Sequence, residues 1–390
     1  MTTNLWPLVV GGAARFAVAW LSVTSLQQLD GGSWDALVVG SRQSRSALLE
    51  RGFRRSRGIP EQPGLATAMP TMAELLLLAL QPLAGHNNVM LLAVGIVSQI
   101  GVYMLLPRRA ALLYWLNPIL VVSAVLSPLP SLNHLILASL WTLFSVRRLF
   151  LPLLLSLLGV FAVLVLTHVP YLALLPSLLA LQLSPDAYTD APVMIYALIA
   201  FALFIFLLLE QAGVWSLGVG AACGLEWNSS SHLGWWNQAA AGVRWYVDAQ
   251  VLSFFTVYYS LLSFAQPLIM AAPLYLRFPS SPLLVLHATL ALVVLGHPSA
   301  SFSDVSFAVA TLCSHEDVVR NMKPTLPWVV LGLAIPAVLS PALLHLWIGL
   351  GTGNANFLFF QGLAMWLSLG LFIVSFLSSH AKICPSSPHD

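Results

Sequence analysis

Apolar residues in this chain form long runs that are separated by short polar or proline-containing turns. A helix needs about 20 mostly apolar residues to cross a bilayer, and its backbone groups must be satisfied within the helix. Runs of this kind predict an all-α protein with about twelve transmembrane helices. The predicted spans are residues 5–25, 89–106, 111–127, 131–146, 151–167, 169–183, 193–212, 249–276, 283–296, 303–313, 327–349 and 356–378.

The composition agrees with this prediction, because it indicates a protein that is surrounded by lipid. Hydrophobic residues make up 58% of the 390 residues, charged residues 8%, and the mean hydropathy is +0.86. A soluble domain carries about 25% charged residues, so the composition indicates a polytopic membrane protein. The net charge of +2 and the scattered Lys and Arg do not favour a nucleic-acid partner. The cysteines, Cys223, Cys313 and Cys384, have no metal-ligand spacing, and no cofactor is predicted.

The positions of Lys and Arg predict the orientation, because short loops rich in these residues stay in the cytosol. Twelve spans and a cytosolic N-terminus place one set of basic residues in the cytosol: Arg108, Arg109, Arg147, Arg148, Arg277, Arg320, Lys323 and Lys382. The arginine-rich loop 26–71 is then luminal, and long loops translocate largely regardless of charge. Loop 213–248, the turn 296–304 and residues 351–356 share that luminal side.

One apolar segment is too short to span a bilayer. Residues 72–84, "MAELLLLALQPLA", follow the first luminal loop and are predicted to form a re-entrant or surface-lying helix. We therefore expect a single membrane domain over residues 1–390, with the luminal loops 26–71 and 213–248 within it.

The sequence carries no familiar catalytic pattern. GxSxG, HExxH, P-loop and DxD motifs are all missing from the printed sequence. The predicted luminal carboxylates are spread along the chain: Asp30, Asp35, Glu50, Glu61, Glu74, Glu226, Asp248 and Asp304. Carboxylates could still assemble in space, but their spacing gives no reason to expect a catalytic pair.

Polar residues inside predicted spans are more informative, because such residues are costly in lipid and usually face a bundle interior or a cavity. The candidates are Arg15, Asn117, Asn133, His134 and His345. Each could instead bridge helices by hydrogen bonds. Asn117 precedes Pro118, which disfavours helix at the preceding residue, so its side chain could also replace a backbone bond.

Near the C-terminus an apolar run is interrupted in "LLHLWIGLGTGNANFLFFQGLAMW", residues 343–366. The interruption holds Gly351, Gly353, Asn354 and Asn356. One interpretation is a hairpin that joins two helices. Another is a polar cap on an apolar groove, because each asparagine offers donors and acceptors and glycine lets a backbone approach a ligand closely. The two asparagines would point together if the turn were extended.

This stretch closely resembles the late segment of the PIG-U family, where a His-Leu-Trp helix end runs into a Gly/Ser-Asn-x-Asn-Phe turn. Other stretches agree with the family in order and spacing: Arg15 in the first span, "YWLNP" (114–118) before the Asn133 segment, "RWYVDAQ" (244–250) and "HPSASFSD" (297–304). The chain departs from the family before the short helix, where it has "TAMPTMAE".

The resemblance implies a function that the motif search does not. PIG-U is the polytopic subunit of the GPI transamidase of the endoplasmic reticulum membrane, with a scaffold like that of GT-C glycosyltransferases. The resemblance implies a noncatalytic subunit that holds the GPI glycolipid beside a caspase-like protease subunit. The residues implied in lipid binding are Asn354, Asn356, Phe357, Thr352, His345, Trp347, Trp245 and Asn117.

Two other classes of function stay open on the sequence alone. A GT-C mannosyltransferase that uses a polyprenyl-phosphate sugar would have a similar scaffold, and the missing DxD motif counts against it. A transporter would be expected to have repeated halves around a midplane site, and the sequence has no convincing internal repeat.

Overall fold

A computed structural model describes residues 9–15, 17, 88–127, 129–145, 169–182, 241–250, 252–297, 300–322 and 324–383, which contain helices and no strand. Residues 9–15 are helical. The further α-helices of this part are α1 (Asn88–Leu105), α2 (Arg108–Leu116), α3 (Pro118–Leu126), α4 (Leu129–Phe144), α5 (Leu175–Gln182), α6 (Arg244–Gln250), α7 (Ser253–Arg277), α8 (Pro282–Gly296), α9 (Phe302–Leu312), α10 (Glu316–Asn321), α11 (Leu326–Leu344) and α12 (Ala355–Ile383). A 3-10 turn, Val169–Leu174, precedes α5, and a π-helical turn, His345–Gly349, continues α11.

Two helices in the described part are long and apolar enough to cross a membrane. They are Leu326–Ile348, with 23 residues, and α12, with 29 residues. A third span results if Pro118–Ala124 and Leu129–Phe144, which meet at 112°, are counted as one broken span. The chain therefore has membrane-spanning helices, while twelve spans and a GT-C scaffold stay predictions.

Most predicted spans that fall on described residues have a matching helix, but three differ. The prediction of one continuous span over residues 111–127 is wrong, because α2 and α3 are separate helices on either side of Asn117. Residues 169–183 begin as a 3-10 turn, and residues 249–276 are divided between α6 and α7. Loop 26–71, segment 72–84, spans 151–167 and 193–212 and most of loop 213–248 lie outside the described residues.

The break between α2 and α3 follows from one proline. Pro118 has no N–H, and the N–H of Ile119 donates to Asn117 Oδ1 at 2.9 Å instead of continuing the helix. The carbonyl of Trp115 would be the helical acceptor for Ile119, so it does not receive that helical hydrogen bond. The expectation that the Asn117 side chain replaces a backbone bond is confirmed, since Asn117 is the N-cap of α3.

Arg15 donates to the Trp115 carbonyl in place of Ile119. Its Nη1 donates to Trp115 O at 2.8 Å, and its Nε donates to Gln99 Oε1 at 2.7 Å. The amide of Gln99 in turn donates to Leu120 O at 2.7 Å and to Ser131 Oγ at 3.1 Å. Arg15 is fully buried, and its guanidinium lies 3.7 Å above the Trp115 ring. This buried network joins the first helical segment to α1, α2, α3 and α4.

Helix α8 lies at the centre of the bundle, since residues on all its faces are buried, from Leu284 to Val294. On one side it packs with α2, α4 and α9 through a core that includes Leu286, Leu290 and Phe307. On another side it packs with α9 and α12. The outward faces of α11 and α12 are apolar and exposed, as expected for helices that contact lipid.

Helices α11 and α12 form a tightly packed hairpin. A Cβ added to Gly332 would come within 1.9 Å of Ser368 Oγ, so glycine allows the two helices to approach closely at this level. The hairpin brings the interrupted run of residues 343–366 to one end of the bundle.

Candidate functional site

The turn between α11 and α12 folds back onto the end of α11. The N–H of Leu350 donates to His345 O at 3.0 Å, which makes the π-helical turn. Leu346 O then accepts the N–H groups of Thr352, at 3.0 Å, and Gly353, at 2.9 Å. Carbonyl groups at a helix end need such partners, so these bonds explain why the chain turns here. A π-helical turn inside a long helix is frequent at functional sites.

Both glycines of the turn are required by its geometry. Gly351 has φ 65°, a left-handed conformation that other residues adopt only at a cost. A Cβ on Gly353 would lie 2.7 Å from Trp347 N and 2.9 Å from Trp347 Cα. The predicted tight turn is therefore confirmed, and the close backbone approach at Gly353 is to the helix end itself.

The two asparagines do not point together. Asn354 Oδ1 accepts the N–H of Asn356 at 3.0 Å, which caps the start of α12. Asn356 already belongs to α12, and its Oδ1 accepts from the hydroxyl of Tyr246 at 2.5 Å. Both side chains are exposed, and within the described residues neither amide nitrogen has an acceptor. Each oxygen is therefore engaged by the protein, and each NH₂ group is available as a donor.

An aromatic cluster lies directly beside these amides. Trp245 stacks on Trp347 with ring centroids 5.7 Å apart, and Tyr246 stacks on Phe359 at 4.3 Å. Trp245 is only 3% exposed, and its Nε1 has no hydrogen-bond partner in the part of the chain that the structure describes. Phe357 on α12 is 60% exposed. The site thus combines free amide donors with a buried indole donor and apolar rings.

Residues 241–246 hold this cluster against two hairpins. The N–H of Ala241 donates to Ala300 O at 3.2 Å, in the turn between α8 and α9. A Cβ on Gly362 would lie 3.0 Å from Gly242 O, so glycine lets this segment lie against α12. We call the end of the bundle formed by residues 241–246, by His297, Ala300 and Ser301, and by residues 350–357 the turn end. Segments predicted to share the luminal side therefore meet at one end, while the sidedness itself stays a prediction.

The predicted site residues divide into two groups. The turn end brings together Thr352, Asn354, Asn356, Trp347 and Trp245, with His345 and Phe357 exposed beside them. Asn117 lies at the break between α2 and α3.

Sequence reasoning missed Tyr246 and Phe359. The stretch "RWYVDAQ" is part of the family resemblance, but nothing in it identifies Asn356 as the partner of Tyr246. Adjacent aromatic residues at the start of a span were the available signal.

The described residues contain no group of three or more His, Cys, Asp or Glu that is placed to hold a metal ion. The asparagines and the aromatic cluster of the turn end offer hydrogen bonds and apolar contact.

Comparison with known proteins gives the family. The family described as "PIG-U: GPI transamidase subunit PIG-U" matches residues 97–365. A curated relative, the GPI transamidase component GAB1 homolog of Schizosaccharomyces pombe, is 29% identical over 138 residues, which are 35% of this chain and 34% of the relative. The aligned region thus spans about a third of that relative's length. Because the family match covers well over half of the residues and runs from α1 into α12, the chain belongs to the PIG-U family of GPI transamidase subunits.

Proposed function

We propose that this chain is a noncatalytic subunit of a GPI transamidase and that its turn end binds the headgroup of the GPI glycolipid. In this role it holds the lipid beside a caspase-like protease subunit, which cleaves the precursor protein and passes it to the ethanolamine amine. Membership of the PIG-U family and the similarity to a GPI transamidase component support this role. The site of action is then the endoplasmic reticulum membrane, with the turn end in the lumen.

The observation that carries the proposal is the pair of free amide donors at the junction of two membrane-length helices. Asn354 and Asn356 have their oxygens occupied by Asn356 N–H and by Tyr246, which orients both NH₂ groups without using them. Hydroxyl and phosphate oxygens of a glycolipid headgroup are suitable acceptors for such groups. A receptor for a lipid headgroup needs polar groups of this kind at the edge of an apolar surface.

The apolar part of the ligand would lie along the helices below. Phe357 and Phe360 of α12 are each 60% exposed, and Val374 is 62% exposed. On α11, Val338 is 74% exposed. These outward faces would contact acyl chains in the bilayer, while the stacked Trp245 and Trp347 lie at the polar junction, where aromatic rings are common.

Replacing both asparagines by leucine tests the proposal. Two lost hydrogen bonds, each contributing about 0.5–1.5 kcal/mol net, would weaken headgroup binding by about five- to a hundredfold. The expected result is reduced surface display of a GPI-anchored reporter in cells that carry Asn354→Leu and Asn356→Leu, with normal recovery of the other subunits. The matched control is Asn321→Leu on α10, where an exposed asparagine donates to Asp317 O of its own helix.

Two outcomes would contradict the proposal. Normal reporter display with normal assembly would remove the asparagines from the lipid site. Loss of subunit recovery together with loss of display would assign them to the turn alone. A separate test addresses the noncatalytic role: measurable hydrolase or glycosyltransferase turnover by the purified single subunit would overturn it.

A further inference from the structure

A buried chain of three polar side chains links α2, α4 and α9. The hydroxyl of Tyr114 lies 3.2 Å from His134 Nδ1, and His134 Nε2 lies 3.5 Å from Asp304 Oδ1. Tyr114 and His134 are at most 1% exposed, and the His134 ring stacks on Phe307 at 4.2 Å. The Asp304 side chain is 21% exposed, so the buried chain ends at a carboxylate that is open to its surroundings.

The local sequence holds Asp304 in place. Ser301 and Asp304 form a capping box at the start of α9, in which Asp304 Oδ2 accepts from Ser301 Oγ at 2.6 Å and from Ser301 N at 3.2 Å. This cap uses one carboxylate oxygen. The other oxygen, Oδ1, faces His134 Nε2 at ion-pair distance.

The positions of the protons follow from the buried groups. If His134 carried both ring protons, Nδ1–H would donate to Tyr114, and the buried hydroxyl proton of Tyr114 would lose its acceptor, which is costly. A neutral His134 with its proton on Nε2 accepts from Tyr114 and directs its N–H toward Asp304. With a neutral imidazole, the group formed by Tyr114, His134 and Asp304 carries one negative charge, which is that of the Asp304 carboxylate.

The described residues leave that charge without a permanent cation. Among the side chains that the structure describes, the only ion-pair contact to Asp304 is His134, and none of the Lys or Arg among them is recorded within ion-pair distance of it. His297, at the end of α8, is a further titratable group that interacts with Asp304 electrostatically. His134 Nε2, although buried, has no hydrogen-bond partner in the same residues. Asp304 Oδ1, which faces His134 Nε2 at 3.5 Å, therefore keeps lone-pair capacity for a further donor.

This carboxylate lies at the turn end. Ala300 accepts the N–H of Ala241, and His297 and Ala300 lie next to Gly242. The segment that begins with Ala241 continues to Tyr246, which donates to Asn356. A headgroup held by the asparagines is thus on the same end of the bundle as Asp304.

We propose that Asp304 binds a primary ammonium group of the glycolipid headgroup, with His134 as a positioning residue; this inference rests on the proposed function. A GPI headgroup carries such amines on its glucosamine and on its ethanolamine phosphate. A single carboxylate suits an ammonium, whereas Ca²⁺ takes six to eight oxygen ligands and Mg²⁺ an octahedral set. An ammonium would donate to Asp304 Oδ1, and charge-assisted bonds of this kind are stronger than neutral ones.

The test compares binding of GPI headgroup probes to the complete purified complex. The probes are a synthetic GPI glycan with free amines, the same glycan acetylated on glucosamine, and the same glycan acylated on ethanolamine. In the wild-type complex, blocking the recognised amine should weaken binding at least about tenfold. Asp304→Asn should weaken binding of the free-amine probe by a similar factor. It should leave binding of the probe whose recognised amine is blocked unchanged.

Matched variants separate binding from structure. Ser301→Ala removes the capping box but keeps the carboxylate, so it should keep the preference for the free amine. Equal losses for free and blocked probes in Asp304→Asn, or a wild-type complex with no preference for either free amine, would overturn the inference. In either case, weaker binding in Asn354→Leu and Asn356→Leu would leave the proposed function standing. Unchanged binding of the probes to all variants would contradict both this inference and the proposed function.

Discussion

Arg15 Nη1 donates a hydrogen bond of 2.8 Å to the carbonyl oxygen of Trp115, a residue one hundred positions away. That carbonyl receives no helical hydrogen bond from Ile119, because Ile119 N–H donates to Asn117 Oδ1 at the break before Pro118. Arg15 is fully buried. A charged residue in a predicted membrane span is usually a sign of function. Here the hydrogen bonds of Arg15 have a structural role, because one of them satisfies the Trp115 carbonyl beside the break at Pro118.

Arg15→Met should destabilise the protein by about 1–3 kcal/mol, because Trp115 O and Gln99 Oε1 lose their donor while the volume of the side chain is largely kept. Thermal unfolding of the detergent-solubilised protein measures the effect. Arg108→Met, at an exposed position at the start of α2, is the matched control and should leave the unfolding temperature unchanged. Equal unfolding temperatures for both variants and the wild type would show that the Arg15 network does not stabilise the fold.

Asn117 combines a capping role with a predicted lipid contact, and two substitutions separate them. Asn117→Ala removes the acceptor for Ile119 N–H and should cost about 1 kcal/mol of stability. Asn117→Ser keeps a capping oxygen and should retain most of that stability. If the amide nitrogen of Asn117 contacts the glycolipid, Asn117→Ser should still reduce binding of the free headgroup probe. Normal binding together with normal stability would leave Asn117 with the cap alone.

The glycines of the turn should respond unequally to alanine. Gly353→Ala brings a Cβ within 2.7 Å of Trp347 N, a backbone atom that cannot move aside without opening the turn. Gly351→Ala meets nothing within 4 Å but adopts φ 65°, which costs about 1 kcal/mol. Gly370→Ala, inside α12 with open space around it, is the control and should stabilise by up to about 1 kcal/mol. An unfolding temperature of Gly353→Ala at or above that of Gly351→Ala would contradict the described packing.

Acid should weaken the opposite end of the bundle through His315, which lies between α9 and α10. Burial, and then the nearby His380, lower the pKa of His315 to about 4 from 6.5. Because the unfolded chain binds this proton more readily, the stability is present above about pH 6.5 and is lost as the pH falls toward about 4. The unfolding temperature should fall between pH 7 and pH 5, and the fall should be smaller in His315→Gln.

The exposed His345 provides the comparison for that experiment. His345→Gln, in the π-helical turn, should show the same fall in unfolding temperature as the wild type. The wild type, His315→Gln and His345→Gln behaving alike would exclude His315 as the source of the acid sensitivity.

The sequence predicted the helices that are marked by local signals. Helices α11 and α12 and the turn between them follow from two apolar runs with glycine and asparagine between them, because periodicity and turn chemistry act over a few residues. The break at Asn117 was visible in the dipeptide Asn117–Pro118, although the span was predicted as continuous. Neither the contact of Tyr246 with Asn356 nor that of His134 with Asp304 could be predicted, since those partners meet only through helix packing.

The distance along the chain between the two halves of the turn end also sets an order of assembly. Tyr246 precedes Asn356 by 110 residues, so at roughly 5–20 residues per second the ribosome makes the second half about 5–20 s after the first. During that interval Trp245 and Tyr246 lack the residues that they contact in the folded protein, which are Trp347, Phe359 and Asn356. Only the insertion of α11 and α12 supplies those partners, so a chain halted before α11 leaves Trp245 and Tyr246 without these aromatic contacts.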